Sequence, residues 1–97
     1  MMNGVTMSKI SAFLKIDPDR VAGDLQAAGS KLDGAPVETV LDFSAVSRID
    51  PKSLVAMEEL ARIADAKAVK IGLRGVSVEI YKVLKLVKLV PRFSFLT

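Results

Sequence analysis

Asp42, Ser44, Ser47, Asp50, Lys52 and Ser53 stand close together in a chain of 97 residues, and theirs are the types that could do chemistry. Two near carboxylates could share acid–base work or hold a metal ion. Three hydroxyls could accept a phosphoryl group. Each also has a plainer use. Asp50 precedes Pro51, so it reads as a helix N-cap with proline at the first helical position. Asp42 reads as a strand-end residue, and Ser44 and Ser47 as turn residues. Ser53 falls at the third helical position, where its hydroxyl helps the cap; it is the candidate phosphosite, with the capping role favoured. The chain contains no histidine and no cysteine. That removes histidine bases, thiolate nucleophiles, disulfides and cysteine–histidine zinc cages. No glycine-rich phosphate cradle is present. The expectation is a protein with no catalytic residue, no metal and no cofactor.

The elements that must position these residues follow from periodicity. Ile10, Ala12, Leu14 and Ile16 alternate with Ser11, Phe13 and Lys15, which predicts a strand. Asp17-Pro18-Asp19 ends it and is read as the cap of a helix over 18–32, with Val21, Ala22, Leu25, Ala28 and Leu32 on one face. Asp33-Gly34-Ala35-Pro36 is a stop and a loop. Residues 39–43 are nearly all apolar, which predicts a central strand. The helix begun at Asp50-Pro51 places Ser53, Ala56, Met57, Leu60, Ile63 and Ala64 on a core face. Glu58, Glu59, Arg62 and Asp65 lie on a solvated one, with Val55 among them. Residues 69–74 predict a third strand, broken by Gly75. Val76, Ile80, Val83, Leu84 and Val87 make a further helical stripe, with Ser77, Lys82, Lys85 and Lys88 opposite. Pro91 is read as the stop of that helix, and Phe93-Ser94-Phe95-Leu96 as a closing strand. This β-α-β-α-β-α-β order implies one small α/β domain over 7–97. Its expected form is a central mixed sheet of four or five strands with helices mainly on one face. Met7 reads as an alternative start, with 1–6 as a loose extension.

Composition narrows the partners. The chain is 51% apolar and 26% charged, with a net charge of +3. With one tyrosine and no tryptophan it lacks a stacking platform for single-stranded nucleic acid, so nucleic acid is not an expected partner. No apolar run reaches the length of a membrane span and no signal-peptide core follows the start, so a cytoplasmic location is expected. Lys82, Lys85, Lys88 and Arg92 form a basic set near the C-terminus, read as a solvated helix face whose apolar side belongs to the core rather than to lipid. The greasy composition and exposed Val55 leave room for a homodimer.

In this order and spacing the pieces resemble the STAS domain, the family that includes the bacterial anti-sigma-factor antagonists. The resemblance spans most of the chain and is firmest over 40–95. It rests on Val40-Leu41-Asp42-Phe43, on Val46-Ser47-Arg48-Ile49-Asp50, and on the amphipathic helix from Leu54. Residues 69–73 followed by Arg74-Gly75-Val76, then Val83-Leu84-Lys85-Leu86 and 93–96, complete it. The family motif is Asp-Ser-Ser-Gly or Asp-Ser-Thr-Gly before an apolar residue. Asp50 matches its aspartate and Leu54 its apolar residue. Pro51 replaces the first hydroxyl residue, Ser53 replaces the glycine, and Lys52 stands where the phosphorylated hydroxyl belongs.

The resemblance implies protein–protein interaction through the start of this helix. The partner-binding residues are then Asp50, Pro51, Lys52, Ser53, Leu54, Val55, Glu58, Glu59 and Arg62. The leading expectation is an anti-sigma-factor antagonist-like domain that binds an anti-sigma factor or serine kinase. The alternative is a cytoplasmic accessory subunit of an ABC-type lipid transport system that binds its ATPase. In antagonists a phosphate added after the aspartate brings nearly two negative charges to a helix N-terminus and breaks the complex. Lys52 offers no hydroxyl, so the usual switch is expected to be absent.

Overall fold

A computed structural model of the chain describes residues 12–32 and 38–96. The elements in order are β1 (Ala12–Lys15), α1 (Val21–Ser30), β2 (Glu38–Asp42), α2 (Pro51–Lys67), β3 (Lys70–Arg74), α3 (Val78–Leu86), a 3-10 turn (Val90–Arg92) and β4 (Ser94–Leu96). This is the expected alternation. The strands lie in the order β1-β2-β3-β4, and every described pairing is parallel. An antiparallel member of the expected mixed sheet is not among the described residues. The expected extension 1–6, Ile10 and the loop 33–36 also lie outside them.

Sequential order in a parallel sheet with right-handed crossovers sends every connecting helix to the same face. The register shows which side chains meet them. Leu14, Leu41, Leu73 and Phe95 form one row across all four strands. Ala12, Thr39 and Ile71 form the next. Of these, Leu14, Leu41, Leu73, Phe95 and Ile71 join Ile16 and Phe43 in one core with Leu25, Ala28, Met57, Leu60, Ile80 and Leu84 from the helices. The opposite face carries Lys15, Asp42 and Arg74 in one cross-strand row of alternating charge, and Phe13 beside Val40 in another. Tyr81 on α3 packs edge-on against Phe95, with ring centroids 5.2 Å apart, and so fixes that helix over β4.

Two boundaries differ from the expectation. Asp17 does not cap α1. Its carboxylate accepts the Asp19 N–H (2.8 Å) and its carbonyl accepts the Arg20 N–H (3.0 Å), so 17–20 closes a turn. The helix starts at Val21 behind an Arg20 that makes no side-chain cap. Pro91 does not stop α3 either. The chain leaves the helix at Leu86, turns through Lys88 at φ 63°, and returns the Leu89 N–H to the Leu84 carbonyl at 2.8 Å. That closure buries Leu89 in the core, and Pro91 serves the following 3-10 turn instead.

Candidate functional site

β2 and β3 end side by side, and their C-terminal loops build the site. The Phe43 N–H donates to the Arg74 carbonyl at 2.7 Å, extending the pairing by one residue. The Asp42 carboxylate then accepts the Ser44 N–H at 2.9 Å, which starts a turn closed by the Val46 N–H on the Phe43 carbonyl. Val46 is buried and Ile49 packs against the core. These two anchors carry the chain to Asp50. From the next loop Ser77 does double duty. Its hydroxyl donates to the Ser47 carbonyl at 3.3 Å, and it accepts the Ile80 N–H to cap α3.

The start of α2 is as the sequence predicts. Asp50 is extended (φ −96°, ψ 170°), its carboxylate accepts the Ser53 N–H at 2.8 Å, and Pro51 occupies the first turn, where no amide hydrogen is needed. Hydrogen bonds from the Ser53 hydroxyl and then its N–H hold the Asp50 carboxyl below its ordinary range, with a smaller pull from Lys52. The Ser44 N–H and then its hydroxyl do the same for Asp42, helped by Lys15 and Arg74. Both carboxylates are thus committed to local backbone.

The structure sorts the nine predicted site residues into two groups. Ser53 is buried at 2% exposure and Leu54 is half-buried against the core. A kinase would have to open the first turn of α2 to reach the Ser53 hydroxyl. Asp50, Pro51, Lys52, Val55, Glu58, Glu59 and Arg62 are exposed along one ridge of the helix. Arg62 is ion-paired with Glu59, an exposed contact of small energetic weight. Val55 stands 64% exposed between these charges. Lys52 is exposed beside the cap. Arg92, expected in the C-terminal basic set, is held by Asp65 of α2 at 2.7 Å.

Motif reading alone does not find a cleft of about 700 Å³ that joins the starts of α1 and α2. Its walls include Arg20, Val21 and Asp24 from one side and Arg48, Asp50 and Lys52 from the other. Asp24 is engaged by the Asp17 N–H at 2.8 Å. Parallel strands place both helix starts at the carboxyl edge of the sheet, where open α/β folds commonly present their contacts. The one signal available beforehand is that shared edge. No group of three or more His, Cys, Asp or Glu side chains suited to a metal ion occurs among the described residues. The start of α2 thus presents charges and one apolar side chain, Val55, to solvent on one face.

No family model and no curated protein matches the sequence. Among solved structures, the chain superposes on a sulfate transporter family protein from Wolinella succinogenes with a TM-score of 0.72. The two are 21% identical over 93% of this chain and 83% of that one. It also superposes on a candidate anti-sigma factor antagonist from Thermotoga maritima with a TM-score of 0.67. There the identity is 16%, over 84% of this chain and 71% of the other. At these identities the likeness is one of fold, and the fold is STAS-like.

Proposed function

We propose that the chain is a non-catalytic docking domain that holds a protein partner on the start and outer ridge of α2. The contact residues are Asp50, Pro51, Lys52 and Val55, followed by Glu58, Glu59 and Arg62, with Ser53 and Leu54 supporting the backbone beneath. The observation that carries this reading is Val55, a branched apolar side chain left in solvent on a helix whose other large apolar residues turn inward. An apolar anchor ringed by charges is the usual plan of a small interface.

Of the two settings a STAS-like domain suggests, the transporter-associated one has the better support. The Wolinella transporter family protein matches more of this chain, at the higher TM-score. Lys52 at the switch position and a buried Ser53 also favour a contact that phosphorylation does not break. In the ABC-type setting expected from the sequence, the partner would be the transporter ATPase. The second reading, an anti-sigma factor or serine kinase, is favoured by the likeness to the Thermotoga protein. Affinity capture with wild-type, Val55→Asp and Glu59→Lys proteins tests both. Recovery of an ATPase by the wild type and its loss from both variants supports the first reading. Recovery of an anti-sigma kinase supports the second. Equal recovery by all three proteins would place the contact elsewhere.

A further inference from the structure

α3 carries an exposed face that the docking ridge of α2 does not use. Ile80 and Leu84 of this helix are fully buried, yet Val78 is 71% and Leu86 82% exposed. At about 100° per residue, Val78, Lys82 and Leu86 climb one ridge, with Lys85 beside them. Lys88 follows at the turn that ends the helix, and half-exposed Tyr81 borders the ridge. Lys82, Lys85 and Lys88 have no ion pair among the described residues. Glu79 is the single acid on the helix. The face is therefore both apolar and cationic.

Charge and side-chain type decide what it fits. A second copy of this chain is a poor match. The chain as a whole carries a net charge of +3. Of the acids on the α2 ridge, Glu59 is paired with Arg62 and Asp65 with Arg92, which leaves Glu58 to face the lysines. A protein interface is also an uneasy fit, because interface cores are depleted in lysine. Aliphatic side chains flanked by lysines, with a tyrosine at the margin, instead match a helix lying on a phospholipid headgroup layer. The geometry points to α3 as a peripheral contact for an anionic bilayer surface. Leu86 and Val78 dip below the phosphates, and Lys82, Lys85 and Lys88 lie among them. No described helix is long and apolar enough to cross a membrane, and this contact needs none.

The inference stands on α3 alone and does not depend on the partner of α2. Co-sedimentation with phosphatidylcholine vesicles containing about 30% phosphatidylserine tests it, at low and high salt. The wild type should pellet with the anionic vesicles, lose most of that binding at high salt, and ignore pure phosphatidylcholine. Lys82→Ala with Lys85→Ala should weaken binding about 25-fold, from roughly five-fold per lysine. Leu86→Asp should weaken it by a similar factor. All three side chains are exposed, so the variants should keep the wild-type melting temperature and circular dichroism. Val55→Asp should bind vesicles as the wild type does. Failure of the wild type to bind anionic vesicles would overturn the proposal. So would undiminished binding by the lysine variant, or capture of an acidic protein by α3 without vesicle binding.

Discussion

Replacing Gly75 by alanine should unfold the edge of the molecule on which the proposed docking site rests. Gly75 follows β3 at φ 71°, a conformation that costs an L-residue about 1–2 kcal/mol. A Cβ there would lie 2.9 Å from both Cα and Cβ of Ser44 and 3.0 Å from its backbone nitrogen. Those atoms are backbone or next to it, so no flexible side-chain tip can swing aside. Ser44 is itself tied to Asp42, so relief of the clash must move the β2 loop that leads to Asp50. Forced repacking of this kind adds about 1–3 kcal/mol. Gly75→Ala should therefore lose at least about 2 kcal/mol. Urea unfolding at constant m-value measures the loss, and amide exchange at the first turn of α2 should speed up with it. A loss under about 0.5 kcal/mol, the range of an ordinary surface change, would refute the close approach of the two loops.

Further outcomes follow from other parts of the structure. Thr39 is buried, and its hydroxyl has no partner among the described residues, so Thr39→Val should raise stability by about 1 kcal/mol in the same urea assay. Asp42 and Asp50 have folded-state pKa values lowered by their hydrogen bonds, so their contribution is present above the ordinary value of 3.8 and is lost as pH falls through the folded values. Stability should thus decline in acid below that point, and the Asp42→Asn, Asp50→Asn double variant should decline less steeply. Val55→Asp and Glu59→Lys should each stay within about 0.5 kcal/mol of wild-type stability while weakening partner capture, because both side chains point into solvent.

Much of this architecture is legible in the sequence because its signals are local. Asp50-Pro51 announces α2 through cap chemistry that involves only neighbouring residues. The inward face of α2 follows from its spacing, apart from Ala61, which is also buried. Misreadings occur where a local signal is spent elsewhere. Asp17 has the residue type of a cap but is consumed by its own turn. Pro91 has the type of a stop, yet burial of Leu89 ends the helix first. Ser77 reads as part of a solvated face, although a serine three residues before Ile80 is itself a cap signal. The remaining features depend on topology. Arg20 meets Arg48 and Lys52 across a cleft only because parallel strands gather both helix starts at one edge. Arg92 leaves the basic set because the 3-10 turn before β4 sets it beside Asp65. The exposed Leu86 falls outside the core stripe, but only the path of the chain beyond α3 shows that nothing described covers it.

Site-specific photocrosslinking in the native host tests the proposed α2 docking face most directly. A photoreactive side chain is placed at Val55, at Glu59, and at Phe13 on the opposite side of the sheet. If α2 is the docking face, positions 55 and 59 should crosslink to one defined protein, a transporter ATPase on the favoured reading, and position 13 should not. Crosslinking of that protein from position 13 with silence at 55 and 59 would contradict it.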